Sequence, residues 1–298
     1  MHLRSMLEVA VDAARAAVGV HRANLSDIDA EEWTEKGHHD FVSRVDREAE
    51  SRIIECIHTA FPDHRFLSEE EATAPVGMAA RSGLTEDGGS VAGHVSIPAD
   101  QLAEAKSEAG WIWVIDPLDG TTNYLHRYPM YAVSIAGLLD GELAVGVVID
   151  GSTGATWTAL RGGGAFLDDR RIRVSATTDP SRALIGTGFP FKALDLLPGY
   201  LDQFSRIVKA TAGVRRAGAA ALDLCHLASG YFDGFWELSL APWDIAAGAL
   251  IVREAGGTIT RIDGNADIVG SGSVLASNGR LHEWLAAAVQ DNRVDEGM

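Results

Sequence analysis

The 298-residue sequence predicts a layered α/β fold, and two observations carry that prediction. Strand-like and helix-like apolar patterns alternate along the whole chain without an internal repeat. Hydrophobic residues make up 46% and charged residues 22%, so a chain of this length can bury a substantial core as one large domain or two packed lobes.

Taken in order, Leu3, Met6, Leu7, Ala10, Ala14 and Ala17 recur at helical spacing and predict a helix over residues 3–20. Glu8, Asp12 and Arg15 interrupt its apolar run, which is unlike a signal peptide. The polar stretch 34–40 reads as a loop or hairpin edge. Residues 43–60 read as a second amphipathic helix with Val45, Ala49, Ile53, Ile54 and Ile57 on one face. Residues 72–110 are rich in Ala, Gly and Ser and poor in large apolar side chains, so a mobile surface excursion is expected there, with a short helix near 99–108. Trp111–Ile115 reads as a buried strand. Alternation over 131–139 and 143–150, joined by Asp140-Gly141, predicts a hairpin. Gly162-Gly163-Gly164 has neither the lysine nor the helix start of a phosphate loop and reads as a turn, with Ile172 and Val174 on the return strand. A strand at 183–187, a helix at 197–209, a small-residue helix at 219–229 and a strand at 234–237 follow. An apolar helix over 245–254 then stops at Gly256-Gly257.

A net charge of −17 argues against nucleic acid as a partner but not against a small phosphorylated substrate, because a bound cation dominates its local field. Only Cys56 and Cys225 are present, too few for a disulfide framework, and no apolar run is long enough to cross a bilayer. The expected setting is therefore cytoplasmic, with no membrane partner. The ten histidines show no paired metal-ligand spacing; His38-His39 and His126 read as surface or supporting groups.

The most informative stretch is the end of the 111–115 strand, where Asp116-Pro117-Leu118-Asp119-Gly120-Thr121-Thr122-Asn123 follows. Two neighbouring carboxylates repel and resist desolvation unless a cation sits between them. The glycine admits a ligand to the backbone, and the hydroxyl run can open a helix whose free N–H groups favour an anion. A hard-cation site beside an anion site points to metal-assisted chemistry on a phosphate. The same residues taken alone also fit an Asx-rich turn after a strand.

This octet resembles the signature of the inositol monophosphatase family of magnesium-dependent, lithium-sensitive phosphomonoesterases. Trp243-Asp244-Ile245-Ala246-Ala247-Gly248 resembles its second signature and Phe66-Leu67-Ser68-Glu69-Glu70 a third, in the family's order. The similarity extends from the first helix to about residue 285. It implies a five-layer αβαβα sandwich, with an N-terminal lobe over residues 1–150 and a C-terminal lobe over 151–298, and the expected assembly is a homodimer.

The resemblance also assigns roles. Asp116 is expected to bridge two Mg²⁺ ions, joined at the first by Glu69 and the Leu118 carbonyl, while Asp119 and Asp244 complete the second. Glu69 could reach a third ion through water. Two ions would clamp the phosphate for in-line displacement by water. Thr121 and Asp46 are expected to orient and deprotonate that water. The Gly120 and Thr121 backbone would touch the phosphate, Gly218 and Ala220 would line the polyol pocket, and Glu237 would accept from substrate hydroxyls. Lys36 fits a mobile lysine near the outer metal. Read without the family, Asp244 is an N-cap candidate, Glu69 belongs to an acidic run with Glu70 and Glu71, and Asp46 is a helix-surface residue. Two departures concern the polyol rim: Ala241-Pro242 replaces histidine and cysteine of animal members, and Ala219 stands where many members place serine or threonine.

The implied reaction is hydrolysis of a polyol phosphate, inositol-1-phosphate foremost. Fructose-1,6-bisphosphatase, histidinol-phosphatase and bisphosphate nucleotidase are rivals within the superfamily. The last two commonly carry lysine after Asp-Gly-Thr, where this chain has Thr122-Asn123-Tyr124. From another class, a catalytically silent binding or regulatory protein would have no need of the carboxylate set and Thr121.

Overall fold

The computed structural model describes residues 3–26, 28, 34–37, 40–42, 44–73, 94–270 and 272–290, with 34–37 and 40–42 described by backbone alone. In chain order come α1 (Leu3–Asn24), the antiparallel pair β1 (Thr34–Gly37) and β2 (Asp40–Val42), α2 (Arg44–Ala60), β3 (Arg65–Ser68), α3 (Glu69–Thr73), β4 (Val95–Ser96) and α4 (Leu102–Ser107). Then follow β5 (Trp111–Asp119), α5 (Thr121–Leu125), β6 (Ala132–Leu139), β7 (Glu142–Asp150), β8 (Thr156–Leu160), β9 (Gly164–Leu167) and β10 (Arg170–Arg171). The remainder is β11 (Leu184–Thr187), α6 (Leu197–Ala210), β12 (Gly213–Arg215), α7 (Ala220–Ala228), β13 (Gly234–Leu240), α8 (Pro242–Glu254), β14 (Thr258–Arg261), β15 (Gly272–Ser277) and α9 (His282–Gln290).

Strands β3–β10 form one eight-stranded sheet in the order β10-β9-β8-β7-β6-β5-β3-β4, and a five-stranded sheet has the order β12-β11-β13-β15-β14. Period-2 alternation gives each sheet two buried faces. In β5, Trp113 and Ile115 pack on α1 and α2, while Ile112 and Val114 face a second core with α7 and α8. In β13, Phe235 joins that same central core and Trp236 packs outward against Tyr200 and Ile207 of α6 and Leu285 of α9. The layers are therefore helix pair, sheet, helix pair, sheet, helix pair: the expected αβαβα sandwich. Small side chains let the outer helices approach closely, with Ala10, Ala13, Ala14 and Ala17 of α1 all fully buried. Cys225 is buried and Cys56 half-buried, both as free thiols.

The turn at Asp140-Gly141 has positive φ at both residues (52° and 77°), the two-residue geometry that follows the twist of the strands. A side chain at 141 would also meet the Lys106 carbonyl at 2.4 Å. The glycine triplet is a structural turn: the Glu254 carboxylate accepts the N–H groups of Gly162 (2.7 Å) and Gly164 (2.8 Å).

Two expectations need correction. The first sheet does not end near residue 150 but continues through β8–β10 to Arg171, because the chain keeps meandering on the same edge. Within 72–110, residues 74–93 lie outside the described residues, but the part from 94 onward is not a surface excursion. β4 pairs parallel with β3, the Ile97 N–H donates to the Phe66 carbonyl (2.7 Å), and Ile97, Leu102 and Ala105 are buried in the central core. The short helix expected near 99–108 is α4, preceded by a 3-10 turn. Leu102→Ala is accordingly expected to cost about 2–5 kcal/mol of folding stability, measured by denaturant unfolding. A near-neutral change would return this segment to the surface.

Candidate active site

The carboxyl end of β5 is bent by sequence. Pro117 has no N–H for the ladder, and the β5–β6 register slips between Asp116↔Ser134 and Asp119↔Ala132, so three steps on β5 match two on β6. In a regular strand, residues three apart point to opposite faces; the bulge turns Asp116 and Asp119 into the same cavity. Asp116 Oδ1 accepts the Leu118 N–H at 3.0 Å. Gly120 follows at φ 88°, where a Cβ would also strike the Met130 carbonyl at 2.8 Å, and α5 starts at Thr121.

That cavity, about 400 Å³, lies at the ends of both sheets. Glu69, Asp116, Leu118, Asp119, Gly120, Thr121, Gly218, Ala220, Glu237 and Asp244 all line it. Every residue expected at the site is there except Asp46 and Lys36. The Lys36 side chain lies outside the described residues. Asp46 stands behind the cavity wall in the first turn of α2, buried, and its Oδ1 accepts from the Thr121 hydroxyl at 3.0 Å. Asp46 is thus not a helix-surface residue. The Leu118 carbonyl is an alternative acceptor for that hydroxyl, also at 3.0 Å.

The acidic run divides three ways and is not a solvated face. Glu69 turns into the cavity. The Glu70 N–H donates to buried Glu50 of α2 (2.8 Å), whose carboxyl is pushed well above the usual range by burial and by Glu70. Glu71 reaches across to His94 Nε2 (3.0 and 3.1 Å) and to the Ser96 hydroxyl. Asp244 sits in the third position of α8 rather than at its N-cap. Its Oδ2 takes the Ala241 N–H at 2.7 Å, which satisfies one helix-terminal donor. Asp119 does the capping that Ala219 cannot: its two oxygens accept the N–H groups of Ala220 (3.2 Å) and Ala221 (2.8 Å) at the start of α7.

The electrostatics follow from this crowding. Burial, then Glu69, Asp119 and Asp244, push the Asp116 carboxyl well above the carboxylate range. Burial and Asp244 raise Asp119 to about 7, despite the two N–H groups it accepts. Burial and Glu69 raise Asp244 to about 6, partly offset by Lys192. Carboxylates that gain so little from their surroundings fit a hard divalent cation that keeps several waters and needs few protein oxygens. Among the described residues no three or more His, Cys, Asp or Glu side chains stand close enough together to hold a metal ion as they are placed.

Other wall residues were not legible in the sequence. Arg216 lies over Phe189 (5.7 Å) and Phe191 (5.0 Å), and with Lys192 it is one of two cations among the lining residues. Gly188 makes room for Glu237, whose Oε1 would stand 1.9 Å from a Cβ at 188. Burial pushes the Glu237 carboxyl well up, followed by Asp223 and Asp244, while Arg216 pulls it down. Thr187-Gly188-Phe189 carries no spacing signal; its role appears only when β11 lies beside β13. Gly188→Ala is expected to displace Glu237 and to raise KM for a hydroxylated phosphate substrate about tenfold, with a smaller effect on kcat. An unchanged KM would remove Glu237 from substrate contact.

Fold and site together define a layered α/β enzyme of the phosphomonoesterase class. The chain belongs to the inositol monophosphatase family, whose model matches residues 2–293. It is 39% identical over 290 residues to Nus factor SuhB of Pseudomonas aeruginosa, covering 97% of each chain. Among solved structures it resembles the extragenic suppressor protein suhB from Bartonella henselae (TM-score 0.81, 34% identity, 97% of this chain and 99% of that one). It also resembles the inositol monophosphatase from Anabaena (TM-score 0.77, 33% identity, 97% and 96%).

Proposed function

We propose that this protein is a Mg²⁺-dependent phosphatase of polyol phosphates, with inositol-1-phosphate as the leading substrate. The observation that carries the reading is the convergence of Glu69, Asp116, Asp119 and Asp244, from three separated segments, on one cavity beside the Thr121–Asp46 pair. Those four carboxylates, with the Leu118 carbonyl, would hold the metal. When bound, Mg²⁺ supplies charge to the phosphoryl oxygens and acidifies water.

The chain's own groups do the rest. The Thr121 hydroxyl donates to Asp46, which leaves its lone pairs to accept from the attacking water, so a proton can pass through the hydroxyl to the buried carboxylate. Gly120 and Thr121 offer backbone N–H groups to the phosphate at the start of α5. Glu237, Gly218 and Ala220 face the polyol. Phosphate release from a panel of phosphorylated polyols, sugars and nucleotides at fixed Mg²⁺, with a chelator control, tests the reading. Equal activity without divalent metal would overturn it, and preference for a bisphosphorylated sugar would move the substrate to the rival branch.

A second reading is favoured by one observation: the Pseudomonas aeruginosa relative carries the name Nus factor. A partner-binding role could accompany or replace catalysis, as a binding or regulatory protein on this fold. Asp116→Asn separates the two, since it should remove turnover and spare a binding role.

A further inference from the structure

We infer that Asn123 is a positioning residue that docks the polyol-facing wall of the cavity onto its phosphate-facing turn. The inference rests on the phosphatase reading above. It arises from a lock between two backbone segments almost a hundred residues apart in sequence. From 119–123, the Asp119 carboxylate accepts the N–H groups of Ala220 and Ala221. From the same turn, the Asn123 Nδ2 group donates to the carbonyls of Met130 (2.7 Å), Ala217 (2.9 Å) and Gly218 (3.2 Å). The 217–221 backbone is therefore held at both polarities, its N–H groups by a carboxylate and its carbonyls by an amide.

The fit is specific to asparagine. A primary amide has two N–H groups, which serve Met130 in the first sheet's β5–β6 connection and Ala217 in the segment before α7, with Gly218 sharing. Aspartate would have the same shape but would turn a negative acceptor on three carbonyls. Two glycines make the approach possible. A Cβ at Gly120 would lie 3.3 Å from the Gly218 carbonyl, and one at Gly218 (φ 88°) would lie 3.1 Å from Asn123 Nδ2. The wall that Asn123 secures is the one carrying Gly218 and Ala220, whereas the phosphate side is secured independently by Asp116, Gly120 and Thr121. Loosening Asn123 should therefore cost hydroxyl recognition more than phosphoryl transfer.

The test compares the full-length parent with Asn123→Ala and Asn123→Asp at saturating Mg²⁺, on inositol-1-phosphate and on p-nitrophenyl phosphate, which has no hydroxyls to position. For Asn123→Ala, KM for inositol-1-phosphate should rise about tenfold, as for the loss of one to two buried hydrogen bonds, with kcat and the p-nitrophenyl phosphate constants little changed. Asn123→Asp should be worse than Ala. Hydrogen exchange of the 217–223 amides should quicken in both variants. Equal losses on both substrates, or parent-like exchange, would overturn the inference. Should the alanine variant fail to fold, Asn123→Ser retains one donor and should give a smaller KM rise in the same direction; a parent-like KM would overturn the inference. A parent that hydrolyses neither phosphate defeats the functional reading, and the exchange measurement then decides on the lock alone.

Discussion

Asp116→Asn is expected to reduce turnover by several orders of magnitude with little loss of folded protein. Asp116 is the carboxylate that the other three crowd, and in the metal-bound enzyme it would be the ligand common to two ions. Removing its charge takes away stabilisation that matters most as charge develops on the phosphoryl group, the kind of loss that costs thousands-fold in rate. In the free protein the same change relieves repulsion, so stability should hold or rise. Retention of a tenth of the rate, about 1.4 kcal/mol in barrier, would remove Asp116 from the bridging role. The measurement is phosphate release alongside a melting curve of each protein.

The second large effect is stabilisation by Mg²⁺, growing with pH. Asp119 and Asp244 have folded pKa values near 7 and 6, raised above an ordinary 3.8 by burial and by the neighbouring carboxylates. A carboxyl raised on folding binds more protons in the native state, so its contribution is fully present below about pH 4 and is lost as pH rises through those values. The chelator-stripped protein should therefore melt progressively lower from about pH 4 to about pH 7. Mg²⁺ requires the ionised carboxylates, so its effect should be small at pH 5 and large at pH 8. At a hundredfold excess over Kd, stabilisation is about 2.7 kcal/mol. Asp244→Asn should blunt both the pH slope and the Mg²⁺ response, and by family resemblance lithium inhibition as well. A melting temperature indifferent to Mg²⁺ across this range would count against an assembled metal site.

Much of this architecture was legible because it is written locally. A continuous apolar run marked β5, period-2 runs marked β6 and β7, Asp140-Gly141 marked the hairpin joining those two, and Asp116, Asp119 and Thr121 announced a charged turn that does line the cavity. What escaped depends on segments that meet only in three dimensions. The continuation of the first sheet past residue 150 has no local sign, since β8 alternates as β7 does. Residues 94–108 look too poor in apolar mass to be core, yet Ile97, Leu102 and Ala105 sit at the positions that face inward. The three adjacent glutamates read as one acidic run, although Glu69 faces the cavity, the Glu70 N–H meets Glu50 and the Glu71 carboxylate meets His94. Asp119 as the cap of α7, and Gly188 as space for Glu237, require two distant backbones side by side.

The distribution of the carboxylates also has a temporal side. Glu69, directly after β3, and Asp116 of β5 stand at the ends of neighbouring parallel strands, but Asp244 belongs to α8, which packs in the central core between the sheets. During synthesis at about 5–20 residues per second, Asp244 follows Asp116 by roughly ten seconds. Until α8 is made, Asp116 has only Glu69 and Asp119 as acidic neighbours from this cluster, and Asp244 adds to that crowding when it arrives. Seating α8 therefore adds a further repulsion to the carboxylate cluster, and the full set of four cannot form before residue 244 is made. If the proposed Mg²⁺ site holds, the free cation should favour that seating by offsetting the added repulsion.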